Sequence, residues 1–472
     1  MSIGTNWAGN LAYRAAAIGR PRTREELHDV LSSSGPLRPL GSRHSFTAIA
    51  DTTGTLIDLS AMPRGIEQVA PDAVRVPAGV RYGDLGAELQ RRGLALANLA
   101  SLPHISVAGA VSTGTHGSGD AIGSLASAVR ALTLAGPDGE RTLRRGDADF
   151  DGAVVSLGAL GVIVELELDV EPAYDVAQTV HEGPAWDAVL AEFDRVTALG
   201  TSVSIFSRWT GRDRADQLWI KNRVGGVAAD EALLARLGTT PAVEQRHPIL
   251  GVSAEACTPQ LGEPGPWHER LPHFQLGFTP SAGEELQSEY LVPRRDAVRA
   301  IEAVRALADR IAPLLLVNEI RTVAADDLWL SSSYGEGAVG IHFTWRRDQP
   351  AVEALLPVIE AALPDTARPH WGKLSVLDPA EIRRRTPRWG DFAALATATY
   401  LCYEPVKKLG AVHNKAETLN AGLERINHVL DAPDDVPEPE NPKSPEAWKG
   451  EVEFSNVCFG YQQDAPVMKN ID

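Results

Sequence analysis

Two stretches of this chain are rich in glycine and hydroxyl groups and almost free of charge. Residues 41–45 read GSRHS, and residues 98–119 read NLASLPHISVAGAVSTGTHGSG. The longer stretch gathers Gly109, Gly114, Gly117 and Gly119 with Ser112, Thr113, Thr115 and Ser118. Glycines let a backbone approach a ligand closely and take positive φ. Successive exposed amides form a nest for an anion such as a pyrophosphate. Neither stretch matches G-x-G-x-x-G or a phosphate loop, so those two nucleotide folds do not apply. Composition alone does not separate a ligand cradle from a plain loop. Two nests feeding one diphosphate would suit a dinucleotide.

A second set of groups lies on short alternating runs. In VNEIRTV, Glu319 and Arg321 share one face of a strand. In GIHFTW, His342 and Thr344 share a face, and in LQSEYL so do Gln287 and Glu289. Three such strands could form a sheet floor that reads a row of hydroxyls. Periodicity by itself places these stripes in water, where charged strand residues usually lie.

The elements that must position these groups are legible in part. Residues 24–32 read as a short amphipathic helix. Strand-like runs follow at Leu56–Leu59, Val74–Pro77 and Val129–Leu134. Between 157 and 170, Val162, Val164, Leu166, Leu168 and Val170 alternate with Glu165, Glu167 and Asp169, as in a half-buried strand. The texture changes after Glu171-Pro172. Strands then mix with helices such as 297–311, whose Val298, Ile301, Val304, Leu307 and Ile311 form one stripe. The expected fold class is α+β, with one domain over 1–172 and a second over 173–398.

The 472 residues suffice for two or three domains, and 44% are hydrophobic, enough for sizeable cores. A net charge of −17 argues against a nucleic-acid surface and suits a cytoplasmic location. Three distant cysteines, Cys257, Cys402 and Cys458, offer neither a disulfide framework nor zinc spacing, and no metal site is expected. The N-terminal residues show no signal-peptide pattern, and no run has the length of a membrane span, so no membrane association is expected.

The motifs GSRHSF (41–46), NLASLPHISVAGAVSTGTHGSG (98–119), SLGALGVI (156–163), GPWHERLPHF (265–274), LQSEYLVP (286–293), NEIRTVAADDLWLS (318–331), IHFTW (341–345) and RPHWGK (368–373) occur in an order that resembles the alditol oxidases, of the vanillyl-alcohol-oxidase type of FAD enzymes. The resemblance spans about residues 5–398. It implies a two-subdomain FAD-binding domain and an α+β substrate-binding cap with a mixed or antiparallel sheet. It implies oxidation of the terminal CH2OH of a polyol such as xylitol or sorbitol to the aldose, with O2 reduced to hydrogen peroxide. It further implies covalent attachment of the flavin to His44, and flavin contacts from Gly41, Ser42, Arg43, Ser45, Ser101, Ser106, Gly109, Thr113, Gly114, Thr115, His116, Gly117, Ser118, Val162, Ile163 and Lys373. Arg43 is a departure, standing where many relatives carry glycine. The polyol would be held by Ser101, Gln287, Glu319, Arg321, Thr344 and Lys373, with Lys373 also stabilising charge that develops on the flavin. Glu289 has no counterpart in that set and is left out. The base that takes the hydroxyl proton is Glu319 or His342, and Arg321 would keep Glu319 ionised. A monomer is expected. The alternatives are a sugar-1,4-lactone oxidase or dehydrogenase, which NEIRT and LQSEY disfavour, and an inactive flavin-binding fusion.

The last alternative arises from the tail. DFAALATA at 391–398 still matches the family, but residues 399–472 resemble a fragment of an ATP-binding cassette exporter. Residues 410–430 read as a helix, 431–446 as an acidic, proline-rich linker, and 452–471 as strand–turn–strand with Tyr461 as an adenine-stacking aromatic. No G-x-x-x-x-G-K-[ST] follows, so the tail is expected to have no ATP-dependent function of its own.

Overall fold

The computed structural model describes residues 3–33, 35–226, 230–278 and 284–400, and in the tail 439–444, 446–447, 449–461, 465 and 467–471. The chain divides into two compact units, 1–408 and 409–472.

Within the first unit, three short parallel strands, Ala17–Gly19, Leu37–Leu40 and Thr55–Asp58, form one small sheet. A five-stranded antiparallel sheet follows, with Val162–Asp169 paired between Ala73–Pro77 and Val129–Gly136. The alternation in Val162–Asp169 works as its sequence implies. Val162, Val164, Leu166 and Leu168 enter a core shared with Leu85, Leu89 and Val111. On the other face the acids meet arginines of neighbouring elements: Glu167 accepts from Arg75 and Arg144 at 2.9 Å each, and Asp169 from Arg130 at 2.8 Å. A six-residue helix, α1 (Val107–Ser112), lies in the middle of the glycine-rich stretch and buries Val107, Ala110 and Val111 in the same core.

The second part is a nine-stranded sheet whose strands, among the described residues, all pair antiparallel. Four of its strands carry the groups that matter below: β1 (Gln217–Arg223), β2 (Glu285–Pro293), β3 (Leu315–Val323) and β4 (Ala338–Arg346). One face of the sheet is apolar. Leu286, Tyr290, Ile320, Ile341, Phe343 and Trp345 pack against the helices Ala297–Ala306 and Gln349–Ala362. The single helix expected over 297–311 is two, Ala297–Ala306 and Ala308–Ile311, broken at Leu307. The apolar stripe still packs on one core across the break, with Ile301, Val304 and Ile311 buried and Val298 and Leu307 partly so.

The other face of this sheet meets the first part of the chain. Gly119 donates its N–H to Thr322 O at 2.9 Å, and Thr322 N donates to Ser118 Oγ at 3.4 Å. Leu328 and Leu330, between β3 and β4, and Phe392, after the sheet, pack into the first core, so the chain returns to it twice. In the second unit, Val457–Phe459 and Met468–Ile471 form an exposed antiparallel hairpin, in agreement with the strand–turn–strand pattern. The helix expected over 410–430 and most of the linker at 431–446 lie outside the described residues.

Candidate active site

The strand register brings the polar stripes into one layer. Across β2, β4 and β3, Glu289 pairs with His342 and His342 with Glu319, while Gln287 pairs with Thr344 one row away. Against the expectation from periodicity, these groups do not face water. Gln287, Glu289, Glu319, Arg321, His342 and Thr344 are all buried. The glycine-rich stretch covers them: Arg321 donates to Ser101 Oγ at 3.3 Å, and His116 Nε2 lies 3.2 Å from Glu289 Oε1. Gly340 makes room for this meeting, since a Cβ there would come within 3.1 Å of Glu289 Oε1 and 3.3 Å of the His116 ring.

Glu289, set aside on the sequence, is the hub of the layer. It accepts from Arg321 at 2.7 Å and faces His342 Nδ1 at 3.3 Å. Burial opposes its ionisation, but Arg321, His116 and His342 outweigh burial and hold its carboxyl well below the usual range. Glu319 is governed similarly. Burial raises its pKa, yet Arg321, His273 and His342 bring it down, with Arg321 Nε at 3.6 Å and His273 Nε2 at 2.8 Å. His342 is pulled below its ordinary value by burial, against the pull of Glu289, so its imidazole is neutral near pH 7. Its Nε2 lies 3.2 Å from Thr344 Oγ1. The signal for Glu289 was present in the shared face with Gln287; the missing information was what covered that face.

Lys373 bonds Gln287 Oε1, and its Nζ lies 5.1 Å from the centre of the Phe46 ring. Burial pushes its pKa down to about 8, against the pull of Glu289. The segment carrying Lys373 is sewn to the first nest, because Phe46 N donates to Gly372 O at 2.7 Å.

From this polar layer a cavity of about 370 Å³ runs into the nests. Gly41, Ser42, Arg43, His44, Ser45, Ser101, Ser106, Gly109, Thr113, Thr115, His116, Ile163 and Lys373 all line it. Four expected cofactor contacts do not. Gly114, at φ +64°, turns the chain at the end of α1. At Gly117 a Cβ would lie 2.3 Å from Asn98 Oδ1, so this glycine serves chain packing. Ser118 bonds Val203 O and the β3 backbone, and Val162 points into the first core.

The lining fits a dinucleotide on its own evidence. Gly41 and Gly109 flank Ser106, and a Cβ on either would come within 2.9 or 2.8 Å of Ser106 Oγ. That buried hydroxyl has no hydrogen-bond partner among the described residues and so remains available to a ligand. Arg43 adopts φ +64°, a conformation that glycine takes without strain and that costs other residues roughly 1 kcal/mol or more. Its guanidinium compensates by donating to Ile3 O and Thr5 O at 3.3 Å each. The loop therefore keeps a glycine-type turn although arginine occupies it. The His44 ring lies 5.1 Å from the Trp7 ring, tilted by 31°, and burial together with the Lys373 charge pushes its pKa down to about 4, leaving a neutral imidazole.

Comparison with known proteins agrees with this picture. Residues 15–144 match the family model described as FAD binding domain, and residues 283–399 match that of D-arabinono-1,4-lactone oxidase. An alditol oxidase from Streptomyces sp. (strain IKD472 / FERM P-14339) is 46% identical over 401 residues, covering 83% of this chain and 94% of that protein. An L-gulono-1,4-lactone dehydrogenase of Mycobacterium tuberculosis is 28% identical over 417 residues, covering 83% of this chain and 94% of that protein. Among solved structures, a solvent-stable cholesterol oxidase aligns with a TM-score of 0.65 at 14% identity, covering 86% of this chain and 95% of its own, which speaks to the fold. Among the described residues, no helix is long and apolar enough to cross a membrane.

Proposed function

Because the chain belongs to the alditol oxidase group of the vanillyl-alcohol-oxidase-type FAD family, we propose that it oxidises the terminal CH2OH of an alditol such as xylitol or sorbitol to the aldose, with O2 reduced to hydrogen peroxide. The observation that carries this reading is the buried layer of Gln287, Glu289, Glu319, Arg321, His342 and Thr344 opening into the glycine-lined cavity. The nests at 41–45 and 106–115 would hold FAD, with His44 as its anchor, and the flavin would supply the two-electron acceptor. The protein supplies binding, orientation and charge.

Arg321, Gln287 and Thr344 donate to the hydroxyl row, and Ser101 fixes its near end. Glu319 already accepts from His273 and lies beside Arg321, so its depressed basicity suits it to accept a hydroxyl hydrogen bond rather than remove the proton. His342 is the base. It is neutral, Glu289 faces its Nδ1, and its Nε2 is turned to Thr344 at the cavity wall. Lys373 holds positive charge where the substrate row meets the first nest. The same reading takes residues 1–172 as the FAD-binding part and 173–398 as the cap together with the return to the flavin site, the return being supported by Leu328, Leu330 and Phe392 in the first core. It takes the protein as a cytoplasmic monomer whose partners are a polyol and O2, with the tail 399–472 outside the reaction.

The test is hydrogen peroxide release by the purified chain with xylitol and sorbitol, set beside L-gulono- and D-arabinono-1,4-lactone. A preference for the lactones sinks the alditol reading in favour of the lactone oxidases.

Two expected outcomes follow from the site. The profile of kcat/KM against pH should be bell-shaped. Its acid limb lies below 6.5, because burial lowers the His342 pKa from that ordinary value and activity is lost only when the imidazole takes up its proton. Its alkaline limb lies near 8, where Lys373 loses its charge. His342→Asn should abolish the acid limb along with most activity. Separately, acid precipitation of the wild type should leave the yellow colour in the pellet, while His44→Ala should release it to the supernatant. Absorbance spectra of both fractions decide the point.

A further inference from the structure

Behind Glu319, away from the cavity, lies a buried lysine that the mechanism above does not use. Lys221 sits in β1, 1% exposed, directly after the apolar residues Leu218, Trp219 and Ile220. Its Nζ has three neighbours at bonding distance: Leu271 O at 2.5 Å, Pro272 O at 3.1 Å and His273 Nδ1 at 3.1 Å. An ammonium has three donors and no acceptor. Two carbonyl oxygens take two of them, and Nδ1 is the third acceptor because an ionised Glu319 carboxylate can only accept, which leaves the ring proton on Nε2. The other ring nitrogen of His273, Nε2, lies 2.8 Å from Glu319 Oε1. With Nδ1 accepting from Lys221, Nε2 must carry the proton and donate to Glu319. The ring is held edge-on by Trp219 and Phe206, with centroids 5.2 and 5.6 Å away. The backbone N–H of His273 also donates to Ser101 O at 3.1 Å.

We propose that Lys221 and His273 are positioning residues of the polyol site: the ammonium sets the His273 tautomer, and His273 fixes Glu319 as an ionised, acceptor-only carboxylate and Ser101 beside it. The proposal rests on the polyol reading and deepens it. The charges around the relay are consistent with it. Lys221 faces Glu319 and Cys257, His273 faces Arg321 as well, and Glu319 faces Arg321 and His342. Burial lowers the Lys221 pKa to about 7, against the pull of Glu319 and Cys257.

The experiment has two arms on the flavin-loaded full chain. In the first, a histidine-selective 15N spectrum of the wild type is recorded, with the His273 signals assigned by their loss in His273→Gln. The expected result is a neutral ring protonated at Nε2, and in Lys221→Met a shift towards the other tautomer. A wild-type ring protonated at Nδ1, or doubly protonated, overturns the relay whether or not xylitol is a substrate. In the second arm, steady-state kinetics with xylitol compare wild type, His273→Leu and His273→Gln. Losing a hydrogen bond to a charged acceptor should raise KM on the order of tenfold in His273→Leu with little change in kcat. The glutamine variant places an N–H near the Nε2 position and should return KM to within about threefold of wild type. An unaltered KM in the leucine variant, or equal losses in both variants, counts against positioning. If the wild type itself does not turn over xylitol, the polyol reading fails and the 15N arm alone judges the tautomer.

Discussion

Replacing Arg321 with methionine is expected to cost this protein both stability and activity. The guanidinium is the cation nearest two buried carboxylates, 2.7 Å from Glu289 and 3.6 Å from Glu319. Methionine keeps much of the volume and removes the charge. Breaking a buried ion pair from one side costs about 3–5 kcal/mol, because the remaining carboxylate stays out of water without compensation. Here two carboxylates are left, so part of the loss should appear as proton uptake instead. Glu289 and Glu319 are held below the usual carboxylate range mainly against burial, with Arg321 the leading opposing influence, and without it both pKa values rise. The sign is definite. A depressed carboxyl stabilises the fold above its unfolded pKa, and that stability is lost as pH falls through the folded value. The variant should therefore lose most stability near neutral pH and differ least from wild type in acid. Thermal unfolding at several pH values measures this. A variant as stable as wild type at pH 7 would show that the carboxylates find other partners. The activity loss should be on the order of 10²–10³ in kcat/KM, since a donor to the substrate row disappears with the charge.

Lys373→Met should give the opposite pattern, a large loss of activity with stability kept or raised. Lys373 is desolvated, as its lowered pKa records, and its hydrogen-bond acceptor is the neutral amide of Gln287. A buried cation without a tight counter-ion adds little to stability, and replacement by an apolar side chain of similar length often leaves stability unchanged or higher. In the proposed reaction, activity depends on that charge. Removing a preorganised group aimed at developing negative charge typically costs on the order of 10²–10³ in rate. The alkaline limb near pH 8 should vanish in the methionine variant. In Lys373→Arg it should move to higher pH, because a guanidinium stays charged throughout the working range. Single-turnover reduction rates with xylitol, measured beside thermal unfolding, separate the two patterns. If Lys373→Met destabilised the fold as much as Arg321→Met, Lys373 would be a structural counter-charge, and its catalytic assignment would fail.

By itself the sequence determined what depends on neighbours along the chain. Alternation in 162–170 predicted which side chains enter a core, and the pattern held because a strand's two faces follow from its pleat alone. Alternation likewise put Gln287 with Glu289, Glu319 with Arg321, and His342 with Thr344. The density of glycine and hydroxyl residues at 41–45 and 98–119 marked the nests, since permissive backbone is a property of residue type. The single helix expected over 297–311 shows the limit, because its break at Leu307 leaves the apolar stripe intact and so carries no signal in the periodicity.

Only the tertiary structure decided which polar faces were covered. Periodicity distinguishes two faces of a strand but does not say what lies above either. Glu289 became the centre of the site because β2 and β4 pair in one particular register and because Gly340 leaves room for His116 to reach it. The proposal of His342 rather than Glu319 as base rests on distances to Arg321, His273 and Glu289, which arrive from three separate segments. Lys221 and His273 are fifty-two residues apart and meet only through the fold. Arg43 could not be read as a glycine-type turn from its own identity, since side-chain chemistry does not report φ, and its conformation is held by backbone carbonyls forty positions away. Chemistry-bearing residues were thus legible as candidates because their types are local facts. Their protonation states and roles were not, because both are set by burial and by charges brought together across long stretches of chain.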